Sequence, residues 1–177
     1  HVWEAPRVKL HITDGASFIK NVSEGSYDVI IQDSSDPETW DKDGQEIDLP
    51  SKVLYEMDHF THIYKALSPN GVFNFQAECF GIASDLDDIV EWRQQALDVG
   101  FQLARYGSLS ISSYPTGQIG FMLCQKDIES SLDMSQIQSR YEDIVKSDRS
   151  TTYYHPKLQY STFDLPLWVE QRIYSSN

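Results

Sequence analysis

The run Tyr27-Asp28-Val29-Ile30-Ile31-Gln32-Asp33-Ser34-Ser35-Asp36-Pro37 sets the architecture. Its first six residues are a nearly continuous apolar stretch, the pattern of a strand covered on both faces. The stretch then breaks abruptly into acids, serines and a proline, where a strand must stop. Upstream, residues 8–13 (VKLHIT) alternate and carry β-branched side chains, which predicts another strand. Asp14-Gly15 closes it, and residues 16–22 suit a short helix. Downstream, residues 38–48 are polar and acidic around Asp43-Gly44 and read as a loop. In residues 51–67, Val53, Leu54, Met57, Phe60, Ile63, Tyr64 and Leu67 recur at helical spacing until Pro69-Asn70-Gly71 stops the pattern. Residues 72–75 read as a strand and 84–99 as a helix. Ser84 suits its N-cap, with Asp85, Asp87 and Asp88 in the first turn, where carboxylates complement the dipole. Residues 103–112 and 119–124 read as two last strands joined by a turn at 114–117. Two amphipathic helices are expected near 134–145 and 167–173. Strands alternating with helices predict an α/β fold.

The chain has 177 residues, enough for one domain with a core. Fourteen Lys plus Arg stand against 27 Asp plus Glu, a net charge of −13. Such a surface repels phosphate backbones, so nucleic acid is not an expected partner, and it attracts small cations. Cys79 and Cys124 each lie in an apolar run without a CxxC or Cys/His cluster, which predicts reduced, buried thiols and a cytoplasmic protein. No apolar stretch approaches the length of a membrane span, so no membrane association is expected. The sequence opens at His1 rather than methionine, and a further N-terminal portion is expected.

Open α/β sheets bind ligands at the C-terminal ends of their strands. Three expected ends are polar here: Asp14-Gly15, Asp33 with Asp36, and Gln76 with Glu78. Tyr114 follows on the turn between the last strands. Pattern alone leaves two readings open, a convergent site or ordinary solvated turns.

Residues 27–37 closely resemble the signature YDVIIxDSSDP of the spermidine synthases. Ser113-Tyr114-Pro115-Thr116-Gly117-Gln118-Ile119-Gly120-Phe121 is similar to that family's TYPSGQIGF, and Gln76-Ala77-Glu78-Cys79 to its QGEC. Residues 8–15 resemble its VxxxxxDG element, while Tyr153-Tyr154, Phe163 and Leu165-Pro166 resemble its C-terminal YY…FxLP segment. The matches keep the family's order along nearly the whole chain. The resemblance implies a Rossmann-like, methyltransferase-type sheet, mostly parallel with its last strand antiparallel. Residues 1–177 would be the C-terminal part of that catalytic domain. An N-terminal β-hairpin domain, the first strands, the glycine-rich GGGDGG turn and the ribose-binding acid would lie outside this sequence.

The activity implied is aminopropyl transfer from decarboxylated S-adenosylmethionine, a co-substrate, to putrescine, giving spermidine and methylthioadenosine. Asp33 is implied as the base that takes the amine's proton. Asp36, Gln76 and Tyr114 would hold the diamine. Asp14 would accept from the adenine amino group, with Gly15 beside it, and Ser34, Pro50 and Leu54 would lie against the nucleoside. No prosthetic group is implied, and no His stands at ligand spacing from these acids for a metal. A homodimer or homotetramer is the implied assembly, and residues 1–177 alone would be inactive.

The chain departs from the family in one stretch. About ten residues, 38–48, intervene before Leu49-Pro50-Ser51-Lys52-Val53-Leu54-Tyr55 resumes the pattern, with Leu49 in a glycine's place. This gatekeeping segment carries Trp40 and a concentration of acids. It would admit a longer polyamine or serve another subunit. Glu78 reads as scaffold, and Gln159 stands where the family often has histidine. Two alternatives share the resemblance: a diamine N-methyltransferase using intact S-adenosylmethionine, and a non-catalytic paralogue that regulates an active partner.

Overall fold

The structure, a computed structural model, describes residues 4–114, 116–130, 133–147 and 152–175. Pro115, in the turn expected at 114–117, lies outside them. Four strands form the main sheet in the order β1-β4-β6-β5: β1 (Tyr27–Gln32), β4 (Leu67–Gln76), β6 (Gln118–Gln125) and β5 (Leu103–Ser110). β1 and β4 pair in parallel, and β6 runs antiparallel to both β4 and β5. Three strands therefore share one direction and the last strand in the chain opposes them, as expected for the methyltransferase-type sheet.

One face of the sheet carries the core. Phe73 and Phe75 of β4 stack at 5.0 Å, and Met122 and Cys124 of β6 are fully buried beside them. The helices α2 (Met57–Ala66) and α3 (Ala83–Val99) cover this face with Phe60, Ile63, Ile89, Trp92 and Ala96. Period-two burial in β4 and β6 meets period-3.6 burial in the helices, so one continuous cluster forms. The last helix, α6 (Leu167–Tyr174), adds Val169 and Ile173 to it. The helices α4 (Met134–Lys146) and α5 (Pro156–Ser161) follow β6, and only α5 had no counterpart in the sequence reading.

Several boundaries differ from expectation. The pattern over 51–67 splits into a 3₁₀ helix (Pro50–Tyr55) and α2, because proline starts the first and the chain is extended at Glu56. Leu67 belongs to β4, which also takes in Pro69-Asn70-Gly71. The cap of α3 is Ile82 without a side-chain bond, and Ser84 sits within the first turn, donating to Asp85.

Two corrections are larger. Residues 8–13 form no strand, since no neighbouring strand offers them a hydrogen-bond ladder. They run as exposed chain across a cavity of about 580 Å³ from β1, with Asp14 capping the helix α1 (Gly15–Lys20) beyond them. β1 is not covered on both faces either. Ile30 packs against the core, but Val29 and Ile31 are 57% and 72% exposed on what is, among the described residues, the edge strand of the sheet.

Candidate active site

The parallel register places Gln32 of β1 opposite Phe75 of β4, so Asp33, just past β1, stands beside Gln76, the last residue of β4. Ala77 N–H donates to the Gly120 carbonyl at 2.9 Å and ties this end of β4 to β6. The Tyr55 hydroxyl stands between the two strand ends. It donates to Gln76 Oε1 at 3.2 Å and accepts from Ser34 Oγ at 3.2 Å. Behind it, Gln32 Nε2 donates to the Leu54 carbonyl, and Gln32 Oε1 lies 3.0 Å from His59 Nε2. A partly buried polar spine thus runs from α2 across β1 to β4. Such networks hold side chains in one arrangement when their members are satisfied.

The electrostatics locate the acids. Burial pushes the Tyr55 phenol up to about 12 against the Ser34 hydrogen bond, with Glu78, Asp36 and Asp33 adding to the rise. Burial also raises the Tyr114 phenol, and the same carboxylates Asp36, Glu78 and Asp33 act on it. Two phenols on different elements therefore feel one cluster of three acids. Burial drives the Glu78 carboxyl up to about 7; Gln76 opposes that rise, while Asp36 and Asp85 reinforce it. Neither Gln76 Nε2 nor Glu78 Oε1, both buried, completes a hydrogen bond.

Glu78 reaches this place through a strained turn. Its φ is +53°, a left-handed conformation that non-glycine residues adopt rarely. The Tyr106 hydroxyl donates to the Glu78 carbonyl at 3.0 Å and accepts from Phe80 N–H at 3.3 Å, clamping the turn from both sides. Tyr106 crosses β6 to get there, and a Cβ on Gly120 would fall 2.1 Å from its hydroxyl. Only glycine leaves that passage open.

On the other side of Asp33 lies the 580 Å³ cavity. Its walls include Gly15, Gln32, Asp33, Leu54 and His59, with apolar Ile19 at its side. Asp14 Oδ1 accepts from Ser17 N–H at 2.6 Å, and the Ser17 backbone and side chain hold its carboxyl below the usual range. Burial lowers the His59 imidazole to about 4, so the ring is neutral, and its Nδ1 has no partner.

The expected residues thus fall into two groups that meet at Asp33. Asp36, Gln76 and Tyr114 gather with it on one side, and Gly15 and Leu54 line the cavity on the other. Ser34 is bound into the polar spine. Pro50 begins the 3₁₀ helix and is exposed, away from the cavity lining. Glu78, read as scaffold, belongs to the acid cluster; its nearness to Gln76 in the QAEC run was the available signal. Tyr55 stood in the sequence only as the end of the resumed family pattern, and His59 carried no signal.

The inserted residues form a hairpin rather than a loop. β2 (Glu38–Trp40) pairs antiparallel with β3 (Glu46–Asp48). Asp41 Oδ1 accepts from the N–H groups of Asp43 and Gln45, and Gly44 supplies the positive φ of the turn. Lys52 Nζ bridges Glu38 at 2.8 Å and Asp48 at 2.6 Å, fastening both strands to the 3₁₀ helix that carries Leu54 and Tyr55.

The family description spermine/spermidine synthase domain matches residues 1–135. The chain belongs to the spermine/spermidine synthase family. It is 35% identical over 175 residues to spermidine synthase 2 of Arabidopsis thaliana, covering 97% of this chain and 47% of the relative. It is 32% identical to spermidine synthase of Schizosaccharomyces pombe, covering 93% of this chain and 49% of the relative. The chain therefore spans about half the length of these family members. In fold it is similar to a spermidine synthase solved with the transition-state analogue AdoDATO, with a TM-score of 0.76 at 22% identity over 97% of this chain and 52% of that one. Human methyltransferase-like protein 13 bound to SAH shares the fold more loosely, with a TM-score of 0.53 over 83% of this chain and 62% of that one. Among the described residues, no helix is long and apolar enough to cross a membrane.

Proposed function

We propose that this chain is the C-terminal part of the catalytic domain of an aminopropyltransferase that moves the aminopropyl group of decarboxylated S-adenosylmethionine to putrescine. The observation that carries this reading is the position of Asp33, at once in the wall of the cavity beside Gly15 and Leu54 and among the acids around Tyr114. A base that serves two substrates has to stand where they meet.

An alkyl amine is protonated at neutral pH and has no lone pair to attack with. Asp33 takes one proton from the ammonium as it nears the sulfonium-activated carbon. The nitrogen lone pair forms the new C–N bond, the C–S bond breaks, and its electrons neutralise the sulfonium, leaving methylthioadenosine. Asp36 and Glu78 attract the diamine's other ammonium, and Tyr114 and the Gln76 amide complete a polar wall. Asp14 accepts from the adenine amino group, Gly15 lets the adenine approach, and Leu54 packs on the nucleoside. Ser34 acts on that side through Tyr55, and Pro50 only by starting the 3₁₀ helix that carries Leu54. Most of the acceleration comes from holding two substrates in line.

Assaying the full-length protein with decarboxylated and intact S-adenosylmethionine tests the reading. Transfer of aminopropyl from the former and no methyl transfer from the latter is expected. Asp33→Asn, which keeps shape and hydrogen bonding, is expected to lower turnover by about two to four decades with an unchanged circular dichroism spectrum. Turnover within a few-fold of wild type would remove Asp33 from the role of base.

A further inference from the structure

On the face of the main sheet turned away from the core, Val72 of β4, Leu103 and Arg105 of β5, and Leu123 of β6 alternate with the buried Phe73, Ala104 and Cys124. With α4, α5 and Phe163 they line a cavity of about 520 Å³. A second cavity of about 290 Å³ adjoins it, sharing Leu123, Gln159 and Phe163 and continuing over Leu109 and Phe121. The pair lies apart from the acid cluster. Val72 is near the start of β4 and Gln76 is its last residue, about 13 Å further on at the usual strand rise.

The charge here is opposite to that of the rest of the molecule. Arg105 and Arg140 both line the larger cavity, and both are open to solvent, so a ligand can reach them. In a chain with 14 Lys plus Arg against 27 Asp plus Glu, a cation has no shortage of partners. Yet among the described residues neither arginine makes an ion pair, and no Asp or Glu lines the cavity. The nearby acids of α4 are engaged elsewhere, Asp143 with Lys146 and Glu142 with Gln138. The Arg105 guanidinium lies over the Phe163 ring, 4.5 Å from its centroid. Such stacking holds the plane and leaves the edge N–H groups for a bidentate anion. Gln159 Oε1 accepts from the Tyr154 hydroxyl, so the polar atom its amide still has to offer is a donor. Three donor side chains thus border one cavity without an acid, in a protein of net charge −13.

We propose that this cavity binds a small organic phosphate monoester, with its phosphate between Arg105 and Arg140 and its apolar body in the adjoining cavity along Leu109 and Phe121. A monoester phosphate carries about −1.5 to −2 at neutral pH, which balances two guanidiniums as a carboxylate does not. The apolar walls at Val72, Leu103, Leu123 and Ile137 favour an organic body over a free ion. The volume falls within the roughly 300–1,000 Å³ of small-molecule sites. This site stands apart from aminopropyl transfer and does not rest on that reading.

The test is calorimetric titration of the full-length protein, at constant ionic strength, with phenyl phosphate, inorganic phosphate and phenol. Phenyl phosphate is expected to bind with a Kd below about 1 mM, and at least about tenfold more tightly than either inorganic phosphate or phenol. Arg105→Gln and Arg140→Gln are each expected to weaken it about tenfold, with circular dichroism and melting temperature unchanged. Arg172→Gln, away from the cavity, is expected to bind as wild type does. Leu109→Trp, which fills the apolar arm without touching a charge, is expected to weaken phenyl phosphate and spare inorganic phosphate. Should Arg105→Gln fail to fold for want of its packing on Phe163, Arg140→Gln on the exposed side of α4 decides. Equal affinity for phenyl phosphate and inorganic phosphate, or wild-type affinity in Arg140→Gln, overturns the site. So does the absence of phenyl phosphate binding, the result expected if further chain or a second subunit covers this face.

Discussion

Glu78 combines three unfavourable features that a structural residue would shed: a left-handed backbone, a buried carboxyl and acidic neighbours. Strain of this kind, about 1–3 kcal/mol for such a backbone, persists where the surroundings over-determine it. Here the clamp is Tyr106, bonded on both sides of the turn. The carboxyl has a consequence for stability. Its folded value of about 7 lies above the ordinary 4.5, so its contribution is fully present below pH 4.5 and is lost as pH rises through 7. Glu78→Gln, which cannot ionise, is therefore expected to flatten the fall in stability between pH 4.5 and 7 and to raise the melting temperature at pH 8. Thermal unfolding of the ligand-free protein across that range measures it. An unaltered pH profile would mean that Glu78 is solvated and the acid cluster looser than the geometry indicates.

Two devices position the site at the scale of elements, and each can be broken singly. Gly120→Ala places a methyl against the Tyr106 ring and hydroxyl, so either β6 shifts or Tyr106 leaves Glu78. Overpacking of this sort costs about 1–3 kcal/mol, and urea unfolding should show that loss together with a drop in activity; a neutral substitution would show that the ring can move aside. Lys52 is the other device. Lys52→Met leaves Glu38 and Asp48 facing each other without their shared cation. An exposed pair contributes about 0–1 kcal/mol, so amide exchange within β2 and β3 should quicken a few-fold while the global melting temperature stays put. Unchanged exchange would show that the Asp41 turn holds the hairpin without help. What was legible in the sequence follows from the same local physics. Strands β4, β5 and β6 and helix α3 were legible because their apolar residues match the face they bury, while β1 was legible as a strand from its continuous apolar run although that run overstated its burial. The Asp33 and Asp36 turn was legible because a strand ended on it. The hairpin was not, since three-residue strands carry almost no periodicity and the Lys52 bridge is formed across 14 residues in one arm. Residues 8–13 have a strand's pattern, but pattern makes a strand only where a partner strand is available. Glu78 and Tyr55 were hidden because their roles depend on a backbone dihedral and on a contact across 21 residues.

Across the whole molecule two large terms oppose each other. The accessible surface is 11717 Å², whereas a compact monomer of this size exposes about 8,800 Å². Part of the excess is apolar and adjacent: Ile12 is 93% exposed, Ile31 72%, and Leu10 and Val29 57% each, with the 580 Å³ cavity between the two segments. Among the described residues β1 is the edge of the sheet, with N–H and C=O groups on that side outside any ladder. Covering apolar surface is worth about 25 cal/mol per Å², so a few hundred Å² supplies several kcal/mol toward association. Against this stands the net charge of −13, which repels a second copy. The repulsion is screened, with a Debye length of about 8 Å at physiological salt and 3 Å at 1 M, while apolar burial is not weakened by salt. Residues 1–177 expressed alone are therefore expected to be mostly monomeric at low salt, to bind a hydrophobic dye strongly, and to self-associate as salt is raised toward 1 M. Sedimentation velocity at 0.02 and 1 M salt, with dye fluorescence on the same samples, reads both effects. A chain that stays monomeric and dark at 1 M salt would show that residues 8–13 fold down over β1 and close the cavity themselves.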